Sequence, residues 1–161
     1  GGARQPVFAL RQTTLVAHAP DGLAIARARP DEVGELTIEA AKMSAGELGG
    51  PAYPIEDAYR RRIAAAIDAG QFWRARRDGV LVFQCYLGPH SRSTAQIQGV
   101  WTPRAARGRG DATRALAAIA SALLGEHHSL SLYVNDFNKP AIALYERVGF
   151  ERAGEFQTVL F

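Results

Sequence analysis

The part of this chain best equipped for chemistry is the run from Gln98 to Leu116, QGVWTPRAARGRGDATRAL. A strand signal enters a loop carrying Gly108 and Gly110, and that loop opens directly into a helix. Glycine lets the backbone adopt positive φ and approach a ligand closely. The first turn of a helix leaves N–H groups without intrahelical partners. Donors of that kind, gathered at the positive end of a helix dipole, form an anion site. Arg107 and Arg109 add charge and reach, and the row of donors suits a diphosphate better than a lone carboxylate. The Gly-Lys-Ser/Thr ending of a Walker loop is missing, and so is the third glycine of a dinucleotide-binding G-x-G-x-x-G. Taken alone, the same residues would also serve as an arginine-rich surface turn.

The elements that must position this loop can be read along the chain. Residues 7–16 are extended, and Pro20-Asp21-Gly22 turns the chain into a short strand over 23–28. Pro30-Asp31 starts a helix with Val33, Leu36, Ala40 and Met43 on one face. Residues 46–54, with three glycines and two prolines, read as a loop. A second helix buries Ile55, Tyr59, Ile63 and Ile67 and ends at Gly70. Asp78-Gly79 joins two strands as a hairpin. Its second arm, VLVFQCYL, is apolar on both faces and reads as a central strand. Thr94–Trp101 is the next strand, and Gly99 within it marks a bulge or a close backbone approach. After the loop comes a helix with Ala112, Leu116, Ile119, Ala120 and Leu123 facing the core. Ser129–Val134 alternates as a strand, Asn138 caps a short helix, and the chain ends in strands from Phe150 onward.

Composition narrows the function classes. At 161 residues and 47% hydrophobic, the chain can bury a single domain core. Its longest weakly polar run, residues 115–124, is far short of the roughly 20 residues of a membrane span. Lys42 and Lys139 are the only lysines in a formal charge of +3. Arginine favours bidentate contact with phosphate or carboxylate. The runs Arg60–Arg62 and Arg74-Arg76-Arg77 lack the interleaved aromatics of a nucleic-acid stripe and read as solvated faces. Cys85 is a lone cysteine, in keeping with a reducing cytoplasm; in a strand apolar on both faces it reads as a small core residue. No second ligand cluster supports a metal at His127-His128. The chain opens on Gly1 rather than Met, which leaves room for a missing upstream segment.

The run Arg107-Gly108-Arg109-Gly110-Asp111-Ala112 resembles the Q/R-x-x-G-x-G/A signature of the GNAT acetyltransferases. Further on, LYVNDFNKPAIALYERVGF resembles that family's N-x-x-N-x-x-A-x-x-L-Y-x-x-x-G-F, matched by Asn135, Asn138, Ala141, Leu144, Tyr145, Gly149 and Phe150. The likeness covers roughly residues 23–161. It is closest to actinobacterial members carrying an additional N-terminal half, through QPVFALR, MSAGELGGP and the TVLF ending. That resemblance implies an α/β fold with a mixed, mostly antiparallel sheet, splayed between the fourth and fifth strands and flanked by about four helices. Residues 21–161 would be the acetyltransferase domain, and residues 1–20 an N-terminal extension or linker remnant.

The same likeness implies N-acetyl transfer from acetyl-CoA, a co-substrate, to a primary amine by direct attack in a ternary complex, with no metal. The alternative is a catalytically weak module that binds acyl-CoA. The amides of Arg107, Gly108, Arg109, Gly110, Asp111 and Ala112 would hold the diphosphate. Val100 and Thr102 would pair their backbones with the pantetheine arm, and a donor near Val100 would stabilise the oxyanion. Asn138 would touch the coenzyme, and Tyr145 would protonate the departing thiolate. Capping for Asn138, core packing for Tyr145 and shaping a turn for Asn135 are the plain structural roles of the same residues. The sequence departs from the family at two points. Asp111 puts a carboxylate in the loop, at a cost of about 1 kcal/mol beside a solvated diphosphate, unless it turns away or pairs with Arg109 or Arg114. The fourth strand offers only Gln96 and Gln98 where a glutamate base is common in the family; Glu47, in the loop toward the acceptor, matches an acidic position of the resembling subgroup and is the candidate base, with a water chain from the backbone as the alternative. The expected partner is an amine-bearing acceptor, either a small molecule or a protein N-terminus or lysine; neither nucleic acid nor a membrane is expected.

Overall fold

The computed structural model describes residues 4–48 and 57–157, with side chains over 4–45 and 57–154. Seven strands and four helices follow in the order β1 (Arg4–Arg11), β2 (Ala24–Arg27), α1 (Val33–Leu48), α2 (Asp57–Asp68), β3 (Phe72–Arg77), β4 (Val80–His90), β5 (Thr94–Trp101), α3 (Asp111–Leu124), β6 (Ser129–Tyr133), α4 (Lys139–Val148) and β7 (Glu151–Gln157). Short 3-10 turns at Pro30–Glu32 and Arg104–Ala106 lead toward α1 and α3. The strands form one sheet in the order β2-β3-β4-β5-β6-β1-β7. Every pairing is antiparallel except β5 with β6. The sheet is therefore mixed and mostly antiparallel, as the resemblance implied.

One face of the sheet carries α3 and α4, over a core containing Phe83, Leu116, Ile119, Leu130 and Val148. The other carries α1 and α2, with Leu36, Ala40, Ile63, Ile67 and Phe72. Strand β4 is buried on both faces, which its unbroken apolar sequence requires. The Asp78-Gly79 turn has both residues at positive φ, 50° and 80°, the conformation that matches the twist of a tight hairpin. The arginines around that turn are not solvated decoration. Arg74 Nε and Arg76 Nη2 lie 2.9 and 2.7 Å from the Glu32 carboxylate, which is 6% exposed. They bind the entry of α1 to β3. Against burial, which raises it, the Arg29 amide, then Arg76 and Arg74, hold Glu32 below the usual carboxylate range.

Two features depart from the sequence reading. Residues 4–11, expected within an extension, form an interior strand: β1 pairs with β6 from Val7↔Tyr133 to Arg11↔Ser129, and with β7 from Arg4↔Gln157 to Ala9↔Glu151. Phe8 and Leu10 are buried there because their alternation faces the core. Helix α1 also runs on to Leu48, so Glu47 lies in a helical turn and not in a loop. A single interior glycine, Gly46, costs a helix only about 1 kcal/mol, and Ala45, Glu47 and Leu48 are good helix formers. Among the described residues no helix is long and apolar enough to cross a membrane.

Candidate active site

The site is made where β5 and β6 part. Their parallel pairing runs Thr94↔Ser129, Ala95↔Leu130, Gln96↔Ser131 and stops there. Just beyond, β5 carries an extra residue against β4, since Tyr86 pairs with Gln98 but Gln84 with Trp101. Such a bulge bends its strand. Gly99 makes it possible: its φ is +61°, and a Cβ there would sit 2.2 Å from Tyr86 Cε1. The bend leaves a cleft of about 650 Å³, whose walls include Val100 on β5, Thr102 just beyond it, Tyr133 on β6, Gln5 on β1 and Met43 on α1. A second hollow, about 720 Å³, lies by Phe8, Thr14, Ile142 and Phe150; it has neither a glycine loop nor a helix N-terminus.

Both α3 and α4 aim their N-termini at the cleft. Ahead of α3, the 3-10 turn uses up the Arg107 amide, which donates to the Arg104 carbonyl at 3.3 Å. Gly108 and Gly110 then take φ values of +81° and +78°. The first helical bond is Arg114 N–H to the Gly110 carbonyl, 3.2 Å. Among the described residues the amides from Gly108 to Thr113 therefore have no hydrogen-bond partner, and Gly108, Gly110, Asp111, Ala112 and Thr113 line the cleft. The run of unpartnered amides begins one residue later than the resemblance implied: the Arg107 amide is taken, Arg107 reaches the cleft through its side chain, and the Thr113 amide joins the run.

The charges around the loop are sorted by sign. Asp111 is 1% exposed, and its carboxylate turns away from the cradle to Arg77, at 2.9 and 3.3 Å, with Arg114 at 3.4 Å. The Arg77 partnership was not visible in the sequence. Arg107 lies along the cleft, its Nε on the Thr102 carbonyl at 3.0 Å and its guanidinium 4.8 Å from the centre of the Trp101 ring. Arg109 is exposed, is not part of the cleft wall, and serves the loop through its carbonyl, which accepts from Arg114 at 2.9 Å. Arg147 is an addition: it reaches from the last turn of α4 to Thr113 Oγ1, 3.1 Å away, and lines the cleft. In the sequence it reads only as a cation closing a helix.

On the opposite wall, Asn138 caps α4 by accepting the Ala141 amide at 3.3 Å, and its side chain also borders the cleft. Tyr145 is 5% exposed and lines the same space, its ring wedged between Phe8 and Phe150 at centroid distances of 6.3 and 5.8 Å. Burial, reinforced by the neighbouring Cys85 thiol, raises the Tyr145 pKa, so the hydroxyl is protonated at neutral pH. That hydroxyl has no hydrogen-bond partner among the described residues. Cys85 itself is 1% exposed, and burial pushes its thiol up to about 12. Asn135 accepts from Gln5 Nε2 at 3.4 Å, so β1 supplies both a cleft residue and a support for Tyr145. The side chain of Glu47 lies outside the described residues. His127 packs edge-on against His90, and among the described residues no group of three His, Cys, Asp or Glu side chains could hold a metal ion.

Residues 37–150 match the model of the acetyltransferase (GNAT) family, and the chain belongs to that family. Over 142 residues it is 29% identical to the mycothiol acetyltransferase of Thermomonospora curvata, covering 83% of this chain and 46% of that protein. The GCN5-related N-acetyltransferase of Sphaerobacter thermophilus superposes with a TM-score of 0.74 at 19% identity, over 97% of this chain and 50% of that one. A predicted acetyltransferase of Clostridium acetobutylicum, solved with acetyl-CoA, gives 0.65 at 16% identity, over 86% and 96%. The chain thus spans about half the length of the mycothiol acetyltransferase it matches.

Proposed function

We propose that this chain moves an acetyl group from acetyl-CoA to a primary amine within a ternary complex. The observation that carries the reading is the row of unpartnered amides from Gly108 to Thr113, set at the mouth of the β5–β6 cleft between two helix N-termini. Those donors would hold the diphosphate, with Arg107 and Arg147 adding charge. The pantetheine arm would lie along β5 as an added strand against Val100 and Thr102, and Asn138 would contact the coenzyme while capping α4.

The amine nitrogen attacks the thioester carbon, and a backbone donor near Val100 meets the oxyanion. The C–S bond then breaks, and the thiolate takes the Tyr145 proton, which solvent later restores. Glu47, one helical turn beyond the cleft residue Met43, is the proposed acceptor of the ammonium proton. The buried free thiol of Cys85 agrees with a cytoplasmic setting. We also propose that the chain corresponds to one half of a longer protein, as its coverage of the Thermomonospora relative would have it.

The second reading, an acyl-CoA-binding module with little turnover, is favoured by one observation. Among the described cleft residues the only carboxylate is Asp111, and Arg77 holds it. Release of CoA thiol from acetyl-CoA, followed across a panel of amines beginning with the acceptor of mycothiol acetylation, separates the two. Steady release with any amine supports the enzyme; tight CoA binding without release supports the module.

A further inference from the structure

Arg107 is held by more than its own loop. Trp101, the last residue of β5, donates its indole N–H to Glu39 Oε1 on α1 at 3.0 Å. The face of the same ring carries the Arg107 guanidinium, 4.8 Å from its centroid. Glu39 is itself pinned, since its second carboxylate oxygen accepts from Lys42 at 2.7 Å and its side chain is only 12% exposed. A carboxylate on α1 thus fixes the plane of an indole, and the indole fixes a guanidinium that borders the coenzyme cleft. Neither Glu39 nor Lys42 belongs to the cleft wall, so Glu39 would act only through its neighbours. A guanidinium over an indole keeps its outer N–H groups free for an anion, because the ring occupies its face and not its edge.

We infer that Glu39 and Trp101 are positioning residues for the coenzyme: they hold Arg107 with its free N–H edge toward the diphosphate, and so tie α1, which carries Met43 on the acceptor side, to the coenzyme loop. The inference rests on the proposed reading of the cleft. Tryptophan is the side chain that can do both jobs, offering one donor for the carboxylate and one π face for the cation. Glutamine at 39 would keep the oxygen acceptor, whereas alanine would release the ring.

The test is calorimetric titration of CoA into the folded chain and its variants. Glu39→Ala and Trp101→Phe should each weaken CoA binding by about fivefold to tenfold, the scale of a partly desolvated cation–π contact. Glu39→Gln should stay within about twofold of the wild type. The decisive arm is the double variant Glu39→Ala/Arg107→Ala, which should bind CoA no more weakly than Arg107→Ala alone, because coupled residues are not additive. Trp101→Phe preserves the packed ring and guards against misfolding in the alanine variant. A full additive loss in the double variant, or a Glu39→Gln defect equal to that of Glu39→Ala, would overturn the assignment. A wild-type chain that fails to bind CoA would instead refute the reading of the cleft itself, and the assignment with it.

Discussion

Asp111 gives the sharpest check on how charge is arranged at the loop. Its carboxylate lies at the first position of α3, 1% exposed, and is bonded by Arg77 at 2.9 and 3.3 Å and Arg114 at 3.4 Å. Asp111→Ala would strand Arg77, whose side chain is 29% exposed. Removing one partner of a buried pair costs about 3–5 kcal/mol, and water reaching Arg77 reduces this to about 2–3 kcal/mol. For a chain of this length that is a fall in Tm of roughly 5–10 °C. Asp111→Asn keeps an oxygen for Arg77 and should lose about half as much. Because the carboxylate faces away from the cleft, CoA affinity of the Asn variant, measured calorimetrically well below its Tm, should stay within about threefold of the wild type. A gain in affinity of tenfold or more, without loss of stability, would mean that the carboxylate faces the phosphates, and the assigned orientation would be wrong.

Other consequences follow from the same geometry. Tyr145→Phe should lower kcat by about a hundredfold while CoA affinity changes less than twofold, the signature of a lost general acid; comparing turnover with calorimetry reads it. The buried Cys85 thiol is raised from 9.0 to about 12, so the folded state keeps its proton more tightly than the unfolded one. Its stabilising contribution is complete below pH about 9 and disappears as pH climbs toward 12; chemical denaturation at several alkaline pH values should show that decline, with a shallower slope in Cys85→Ala. Phe8→Ala opens a cavity beneath Tyr145 and should cost about 3–5 kcal/mol. Phe8→Leu should retain most of the stability yet still reduce kcat, if the ring contact aims the hydroxyl.

What the sequence disclosed was mostly local. The Asp78-Gly79 hairpin, the bulge at Gly99 and the loop at Gly108 and Gly110 depend on residues a few positions apart, and each stands where its glycine predicts. The two motifs are local in the same sense. Contacts made between distant segments stayed hidden. Nothing in RQPVFALR says that β1 inserts between β6 and β7, because an alternating strand pairs with whichever edge the topology leaves open. The Arg77–Asp111 and Arg147–Thr113 contacts each bridge 34 positions, and a lone arginine at a hairpin or helix end carries no mark of its partner. The end of α1 is obscured for another reason: Gly46 reads as a breaker, although its helix-forming neighbours outweigh one glycine.

The central claim concerns the amides from Gly108 to Thr113, and an amide-resolved NMR titration of the 15N-labelled chain with CoA reports on them directly. A bound diphosphate should shift the resonances of Gly108, Gly110, Asp111, Ala112 and Thr113 downfield together, at the CoA concentration that saturates binding, with strands β2 and β3 unmoved. If CoA binds while those signals stay in place, or if they stay in place because no CoA binds at all, the loop is not a diphosphate cradle.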